Sequence, residues 1–369
     1  MISSAVSGGR RTPLRYGWRA ALAAGGLAVL AGCAGQSNPP APVATAPEAP
    51  LAVSAAHFIE HSFVSDDGAQ LPLRRWLPRG SVKAVILALH GFNDYGNAFD
   101  TPAQEWARLG IATYAYDQRG FGAAPGRGLW PGSTRLAFDA VTAARVLRLM
   151  YPGRPLYLLG ESMGGAIATL AASGAIPDVA PKPGPPPVAP VDGVILSAPA
   201  VWGRDTMAFL PKAALFIGVR IFPEKVMTGS GLHILASDNL PMLRALSRDP
   251  MMLKGARVDA IYGMVDLMDA ALAAAPHLTA PTLVLYGAHD EVIPPRPMRV
   301  FVGDLPAAAP TRRLAYYRHG YHLLLRDLEG PEVVGDVARW LLDRQAPLSS
   351  TADAATARTP WPPAAEPGE

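Results

Sequence analysis

A single cysteine, Cys33, among 369 residues excludes an intramolecular disulfide. No cluster of His, Cys, Asp or Glu has metal-ligand spacing, so the sequence implies neither a metal nor an organic cofactor. Lysine is scarce as well, five against 28 arginines, a bias that fits a GC-rich genome. The positive charge is local. The net charge is +3, but Arg10, Arg11, Arg15 and Arg19 lie in the first 32 residues, where there is no acid, and without those four the remainder carries −1. Nothing in that balance suggests a nucleic-acid partner, and no feature points to a protein partner. The apolar stretch after the arginines, Ala20 to Ala31, runs for about a dozen residues, where a spanning helix needs about 20. Internal repeats are missing too.

Half of the residues are hydrophobic, enough for one large core. A basic segment followed by a short apolar one describes a secretory signal over residues 1–32. Directly after it stands "LAGC", Leu30 to Cys33, which resembles the bacterial lipobox. That resemblance implies cleavage before Cys33 and a lipidated mature N-terminus. The alternative is a small apolar residue in an uncleaved anchor; position, flanks and uniqueness favour lipidation. Two or three acyl chains, as the lipoprotein resemblance implies, anchor stably. Ala34, in place of an aspartate, leans to the outer membrane, so the expected location is the bacterial cell envelope, lipid-anchored and facing the periplasm. Residues 33–54 are a Pro/Ala-rich linker with the composition of a semi-extended spacer. Residues 346–369 have the same character and are expected to be a disordered tail. The insert from Pro177 to Pro190 is expected as a surface loop.

Between these segments, short apolar runs alternate with helical patterns. Ala84 to His90, Ile111 to Asp117, Pro155 to Gly160, Gly193 to Pro199, Pro281 to Gly287 and Arg312 to Tyr317 read as buried strands. Ser133 to Met150 has a helix-period apolar face and a capping serine or threonine at its start. "HFIEHSFVS" and "QLPLRRWLP" read as an antiparallel edge hairpin. Strand and helix alternate, which predicts an α/β fold with a mostly parallel central sheet flanked by helices. The core spans residues 55–200 and 279–345. Residues 201–278 break the alternation with helical segments only, and their length favours a helical cap inserted between the sixth and seventh core strands.

The chemistry centres on "GESMG", Gly160 to Gly164. It fits G-x-S-x-G between an apolar strand and a small-residue helix, where a sharp turn strains its central residue and leaves no room for flanking side chains. Such a turn lifts the Ser162 hydroxyl clear of the sheet and aims a helix N-terminus at it. A serine nucleophile needs a base, and the base an orienting carboxylate. Asp290 follows the strand ending at Gly287; Glu291 competes with it, and the shorter side chain favours Asp290. "RHGYHLLLRD" offers His319 and His322. His322, after Gly320 and Tyr321 and before an apolar run, is the assigned base, with His319 as the exchangeable alternative. The amides of Phe92, after the strand ending at His90, and of Met163 would face each other as an oxyanion hole. His90 itself reads as a loop-former.

"LHGFND", "YDQRGFG", "GESMGG", "YGAHDEVIPP" and "GYHLLLRD" occur in the order found in α/β-hydrolases. Together they resemble the monoacylglycerol lipase and lysophospholipase group, catalogued with serine aminopeptidases. The resemblance runs from about Phe58 to Leu342 and includes "SRDPMMLKG" in the cap. It implies an α/β-hydrolase fold, Ser162, Asp290 and His322 as catalytic triad, and Phe92 and Met163 as oxyanion amides. The implied activity is serine hydrolysis of a lipid-like carboxylic ester, such as a monoacylglycerol or lysophospholipid, through an acyl-enzyme. The implied partners are that substrate and a membrane reached through lipidated Cys33. An aminopeptidase would need an acidic cap site, for which Asp238, Asp259, Asp266 and Asp269 are available. An acyltransferase would share every catalytic residue. A non-catalytic envelope-binding lipoprotein is the alternative from another class. Met207, Met227, Met242, Met251, Met252, Met264 and Met268 crowd the cap as pocket lining or as core filling.

Overall fold

The computed structural model describes residues 55–178, 187–229, 231, 234–306, 312–357 and 361–363. The signal segment, Cys33, the linker up to residue 54 and residues 179–186 of the Pro-rich insert lie outside the described residues.

The described chain opens with β1 (His57–Phe58), β2 (Ser62–Val64) and β3 (Gln70–Trp76), followed by β4 (Ala84–Leu89), α1 (Asp100–Arg108), β5 (Ile111–Tyr116), α2 (Ser133–Met150), β6 (Leu156–Glu161), α3 (Met163–Ser173) and β7 (Gly193–Ser197). Next come α4 (Phe209–Ile221), β8 (Val226–Met227), α5 (Leu240–Arg248), β9 (Ala256–Arg257) and α6 (Val258–Ala274). The core resumes with β10 (Thr282–Gly287), α7 (Pro295–Asp304), β11 (Arg312–Tyr317) and α8 (Gly330–Leu342).

Nine strands form one sheet in the order β1-β2-β3-β5-β4-β6-β7-β10-β11. The first three are antiparallel and the rest pair in parallel. Every residue of β4, β5, β6, β7 and β10 is buried, because helices cover both faces and parallel strands then tolerate apolar residues throughout. The two faces separate by alternation along each strand. Val85, Leu87 and Leu89 pack with α2, α3 and α7, through residues such as Ala140, Ile167 and Phe301. Ile86 and Ala88 pack with Trp106 of α1 and with Val337 and Trp340 of α8.

Four local expectations are corrected. The first edge segment is split: β1 and β2 pair with each other around residues 59–61, so the cap follows the seventh strand of the chain when the two-residue β1 is counted. The N-cap of α2 is Gly132, at φ +89° and without a side-chain capping bond, because Thr134 Oγ1 donates instead to the Pro177 carbonyl, 2.8 Å. The cap is not wholly helical, since β8 and β9 form a short antiparallel ribbon. The expected tail is also partly built in. Leu348 is buried against the α8 side of the sheet, Ala352–Ala357 form a 3-10 turn, and the Trp361 ring is buried 6.1 Å from that of Tyr286. Large apolar side chains override a Pro/Ala-rich composition where a core surface is within reach.

Candidate active site

The chain passes from β4 to β5 on one side and then to β6 on the other. The strand order therefore reverses about β4, and ligands of open α/β sheets bind outside the carboxyl ends at such a reversal. Ser162 follows β6 there, and Phe92 lies in the loop after β4.

Ser162 has φ +53° and ψ −115°, a sparsely populated conformation of the kind that costs about 1–3 kcal/mol and persists only where its surroundings impose it. The imposing contacts are visible. Its N–H donates to Ser197 O at 2.9 Å, and its carbonyl accepts from Gly165 N and Ala200 N, each at 2.9 Å. An ideal β-carbon on Gly160 would lie 2.2 Å from Gly164 O, and one on Gly164 would lie 2.0 Å from Leu89 O. Both glycines of the motif are thus required by backbone contact. A β-carbon on Gly91 would stand 3.4 Å from Ser162 Cβ, which places the Phe92 loop beside the serine. Met163 opens α3, so its N–H is one of the first four helix amides, which lack intrahelical acceptors. The Phe92 ring is held edge-on to Phe121 at 5.4 Å, and Asn93 takes the left-handed conformation, φ +66°, that turns this loop.

The remaining two groups come from the ends of β10 and β11. His322 Nδ1 donates to Asp290 Oδ2 at 2.9 Å, and both residues are buried. Asp290 Oδ1 accepts from the amides of Val292 and Ile293, each at 2.8 Å. Burial pulls the His322 pKa down, but the charge and hydrogen bond of Asp290 outweigh it, Glu161 adds to them, and the net shift is upward. The two loops are stitched together, with His289 N–H donating to Gly320 O at 2.9 Å and the His289 and Tyr321 rings stacked. The competing residues stand elsewhere: His319 is exposed, and Glu291 is exposed and accepts from Leu235 N at 2.7 Å. His90 is a loop-former, as its surroundings in the sequence indicate. It donates from Nδ1 to Gly91 O and accepts at Nε2 from Gln118 N, both at 2.9 Å, and is fully buried.

The cap is fastened to the same loops. Tyr95 Oη donates to Asp249 Oδ2 at 2.6 Å, and Leu253 N donates to Asn93 O at 3.0 Å, so the Asp-Pro turn of "SRDPMMLKG" sits on the loop after β4. On the other side, Leu323 N donates to Ala236 O at 2.9 Å, beside the histidine. Beneath α4 lies an apolar cavity of about 500 Å³, lined by residues that include Met207, Leu215, Tyr262 and Val265. Of the cap methionines only Met207 lines it, whereas Met268 is buried in the core.

Sequence reasoning missed a charged cluster under the site. Glu161, Asp94 and Arg326 are buried together, with Arg326 Nη2 at 2.5 Å from Glu161 Oε1 and 2.9 Å from Asp94 Oδ2. All three lie inside quoted motifs, and the signal for them was charge at positions flanking Ser162, Phe92 and His322.

Fold and site geometry define an α/β-hydrolase. The pattern of the serine aminopeptidase S33 family matches residues 80–329, and the chain belongs to that family. It is 27% identical over 303 residues to the monoglyceride lipase of Homo sapiens, covering 80% of this chain and 93% of that one. It is 27% identical over 298 residues to the monoacylglycerol lipase of Mycolicibacterium smegmatis, covering 77% and 96%. Among solved structures it is similar to a soluble variant of monoglyceride lipase from Saccharomyces cerevisiae in complex with a substrate analog. That likeness has a TM-score of 0.60 at 21% identity, covering 80% and 98%, and at this identity it speaks for the fold alone.

Proposed function

We propose that the protein hydrolyses carboxylic esters of lipid-like substrates, a monoacylglycerol or lysophospholipid, through an acyl-enzyme on Ser162. His322 Nε2 takes the Ser162 Oγ proton as Oγ attacks the ester carbonyl. The Phe92 and Met163 amides hold the oxyanion. The alcohol leaves with the proton from His322, and water repeats the sequence on the acyl-enzyme. Asp290 keeps the Nδ1 proton in place and stabilises the imidazolium. The observation that carries this reading is the buried His322–Asp290 pair, 2.9 Å apart, in loops beside a strained serine at the sheet's reversal point. The relatives' substrates favour a greasy acyl group.

The state of the four cap acids argues against an aminopeptidase. Asp259 pairs with Arg257 at 2.6 Å, Asp266 pairs with Arg204 at 2.6 Å, and Asp269 bonds Arg204 too. Asp238 accepts from Leu328 N at 2.8 Å. Each of the four is already engaged, and none of them stands free for a peptide's amino terminus.

Lipidated Cys33 anchors the enzyme in the bacterial envelope, at the outer membrane facing the periplasm. Among the described residues no helix is long and apolar enough to cross a membrane. A linker of the length of residues 33–54 reaches at most roughly 80 Å. The cap suits that tether: α4 buries none of its residues, and Phe209, Leu210, Ile221 and Phe222 are more than half exposed, with Lys212 and Arg220 among them.

The deciding experiment labels protein starting after Cys33, and its Ser162→Ala variant, with a fluorophosphonate. Both are then assayed on monoacylglycerol, lysophospholipid, short aryl esters and an aminoacyl amide. Labelling and ester turnover that vanish in the variant support the reading. A folded wild-type protein that does not label sinks it and moves the non-catalytic binding alternative into its place.

A further inference from the structure

The cluster of Glu161, Asp94 and Arg326 lies beneath the reacting groups, and each member flanks one of them. Glu161 immediately precedes Ser162. Asp94 stands two residues after Phe92, in the loop after β4. Arg326 stands four residues after His322, in the 3-10 turn Leu324–Arg326. The three side chains are at most 8% exposed, and a single nitrogen, Arg326 Nη2, is within 3 Å of both carboxylates. The Arg326 carbonyl accepts from Asn239 Nδ2 at 2.9 Å, which brings in the cap.

Stability alone does not account for such a cluster. Desolvation offsets most of the attraction within a buried ion pair, and packed apolar side chains of the same volume stabilise a fold as well or better. What buried charges supply instead is directionality, since the two hydrogens of one guanidinium nitrogen reach two carboxylates only in a narrow set of geometries. Two carboxylates against one guanidinium also leave a net negative charge under the base.

We propose that Arg326 is a positioning residue of this site: by gripping Glu161 and Asp94 together, its guanidinium fixes the serine turn, the oxyanion loop and the histidine loop in mutual register. The proposal rests on the assignment of Ser162, His322 and Asp290 given above. The cluster also sets the charge around His322. Asp290 acts on the base from the loop after β10, Glu161 from the end of β6, and Arg326, with opposite sign, from the turn that follows the histidine. Asp94 from the loop after β4 acts on Glu161, while Asp327 and the cap's Asp238 stand beyond it. Burial pushes the Glu161 carboxyl up against the pull of Arg326. Glu161 and Asp290 raise the His322 pKa, and Arg326 opposes them.

The test compares wild type, Arg326→Lys and Glu161→Gln in protein starting after Cys33. It measures fluorophosphonate labelling rates across pH, kcat and KM on a soluble aryl ester, and melting temperature. Arg326→Lys keeps the charge but ends one bond short of the Nη2 position that touches both carboxylates, so the expected result is a labelling rate and kcat lowered by about tenfold to a hundredfold at little change in KM. Glu161→Gln removes a negative charge near His322, so the acid limb moves to lower pH. The ratio of labelling rates at about pH 6 and pH 8 then rises roughly threefold or more. If the lysine variant fails to fold, kcat and KM of the glutamine variant, which weakens the Arg326–Glu161 contact, decide: a lowered kcat at little change in KM supports the proposal and a wild-type kcat overturns it. A lysine variant that reacts at the wild-type rate also overturns it. A folded wild type that never labels overturns the underlying site assignment, and the role of Arg326 with it.

Discussion

Gly164 and Leu89 stand in backbone contact: a β-carbon on the glycine would lie 2.0 Å from the leucine's carbonyl oxygen. The serine turn is pressed onto β4, and no flexible side chain is there to yield. Gly164→Ala is therefore expected to destabilise the protein by more than about 2 kcal/mol and to abolish labelling of Ser162. Gly335, exposed in the middle of α8 with nothing within 4 Å of its missing β-carbon, is the contrasting case. Gly335→Ala should stabilise by about 0.5–1 kcal/mol. Urea unfolding of both variants checks the pair.

Asp290→Asn keeps the shape of the loop but loses the charge that holds His322 in its working tautomer. The expected fall in kcat is on the order of 10⁴-fold, with KM nearly unchanged. Steady-state kinetics on an aryl ester measure it, and a loss below tenfold would count against Asp290 as the orienting group.

The upward shift of His322 has two consequences with opposite dependence on pH. Catalysis needs the neutral ring, so the acid limb of kcat/KM should lie above the ordinary imidazole value of 6.5. Stability runs the other way. The fold favours the protonated ring, so this contribution is fully present below 6.5 and disappears as pH rises through the folded value. A pH–rate profile and a series of melting curves test the two limbs separately.

The exposed side chains of α4 predict a dependence on how substrate is presented. Replacing Leu210 and Ile221, 63% and 59% exposed, by aspartate should lower turnover of monoacylglycerol in anionic vesicles about tenfold relative to a soluble aryl ester. Equal effects on both substrates would remove the membrane-facing role of this helix.

Deleting residues 346–369 should destabilise the protein by roughly 2–4 kcal/mol, since it uncovers the sites of Leu348 and Trp361. Thermal unfolding of the truncated chain gives the answer directly.

The sheet and the candidate site were legible because each has a strong local signature. Doubly covered parallel strands read as unbroken apolar runs, and the serine turn needs glycines at fixed offsets. The shorter side chain favours Asp290 over Glu291, and its place between Gly320-Tyr321 and an apolar run favours His322 over His319. The Glu161–Arg326–Asp94 cluster was not legible, because charges usually lie at the surface and the partners stand up to 232 residues apart. The docking of Trp361 was hidden for a related reason, a single aromatic anchor within a stretch of Pro and Ala. The β8–β9 ribbon is two residues on each side, shorter than any periodicity can reveal. Gly132 at the head of α2 shows a further limit. A serine followed by a threonine looks like a cap, but the hydroxyl that mattered was claimed by Pro177.

The cap leaves the sheet after β7 and returns at β10, and these two strands are direct neighbours in parallel register. A parallel pair requires a crossover along the length of the sheet, and α6, packed through Val265, Leu267 and Ala271 into the same core as α3, provides it. The rest of the insertion, from Gly203 to Arg257, is not needed to close the sheet. The molecule thus divides into a core that carries the reacting groups and a front end that the sheet can close without. Grafting a different tract between Gly203 and Arg257 is a way to retune what the enzyme accepts, provided the graft keeps the contacts that Ala236, Asn239, Asp249 and Leu253 make with the loops of the site.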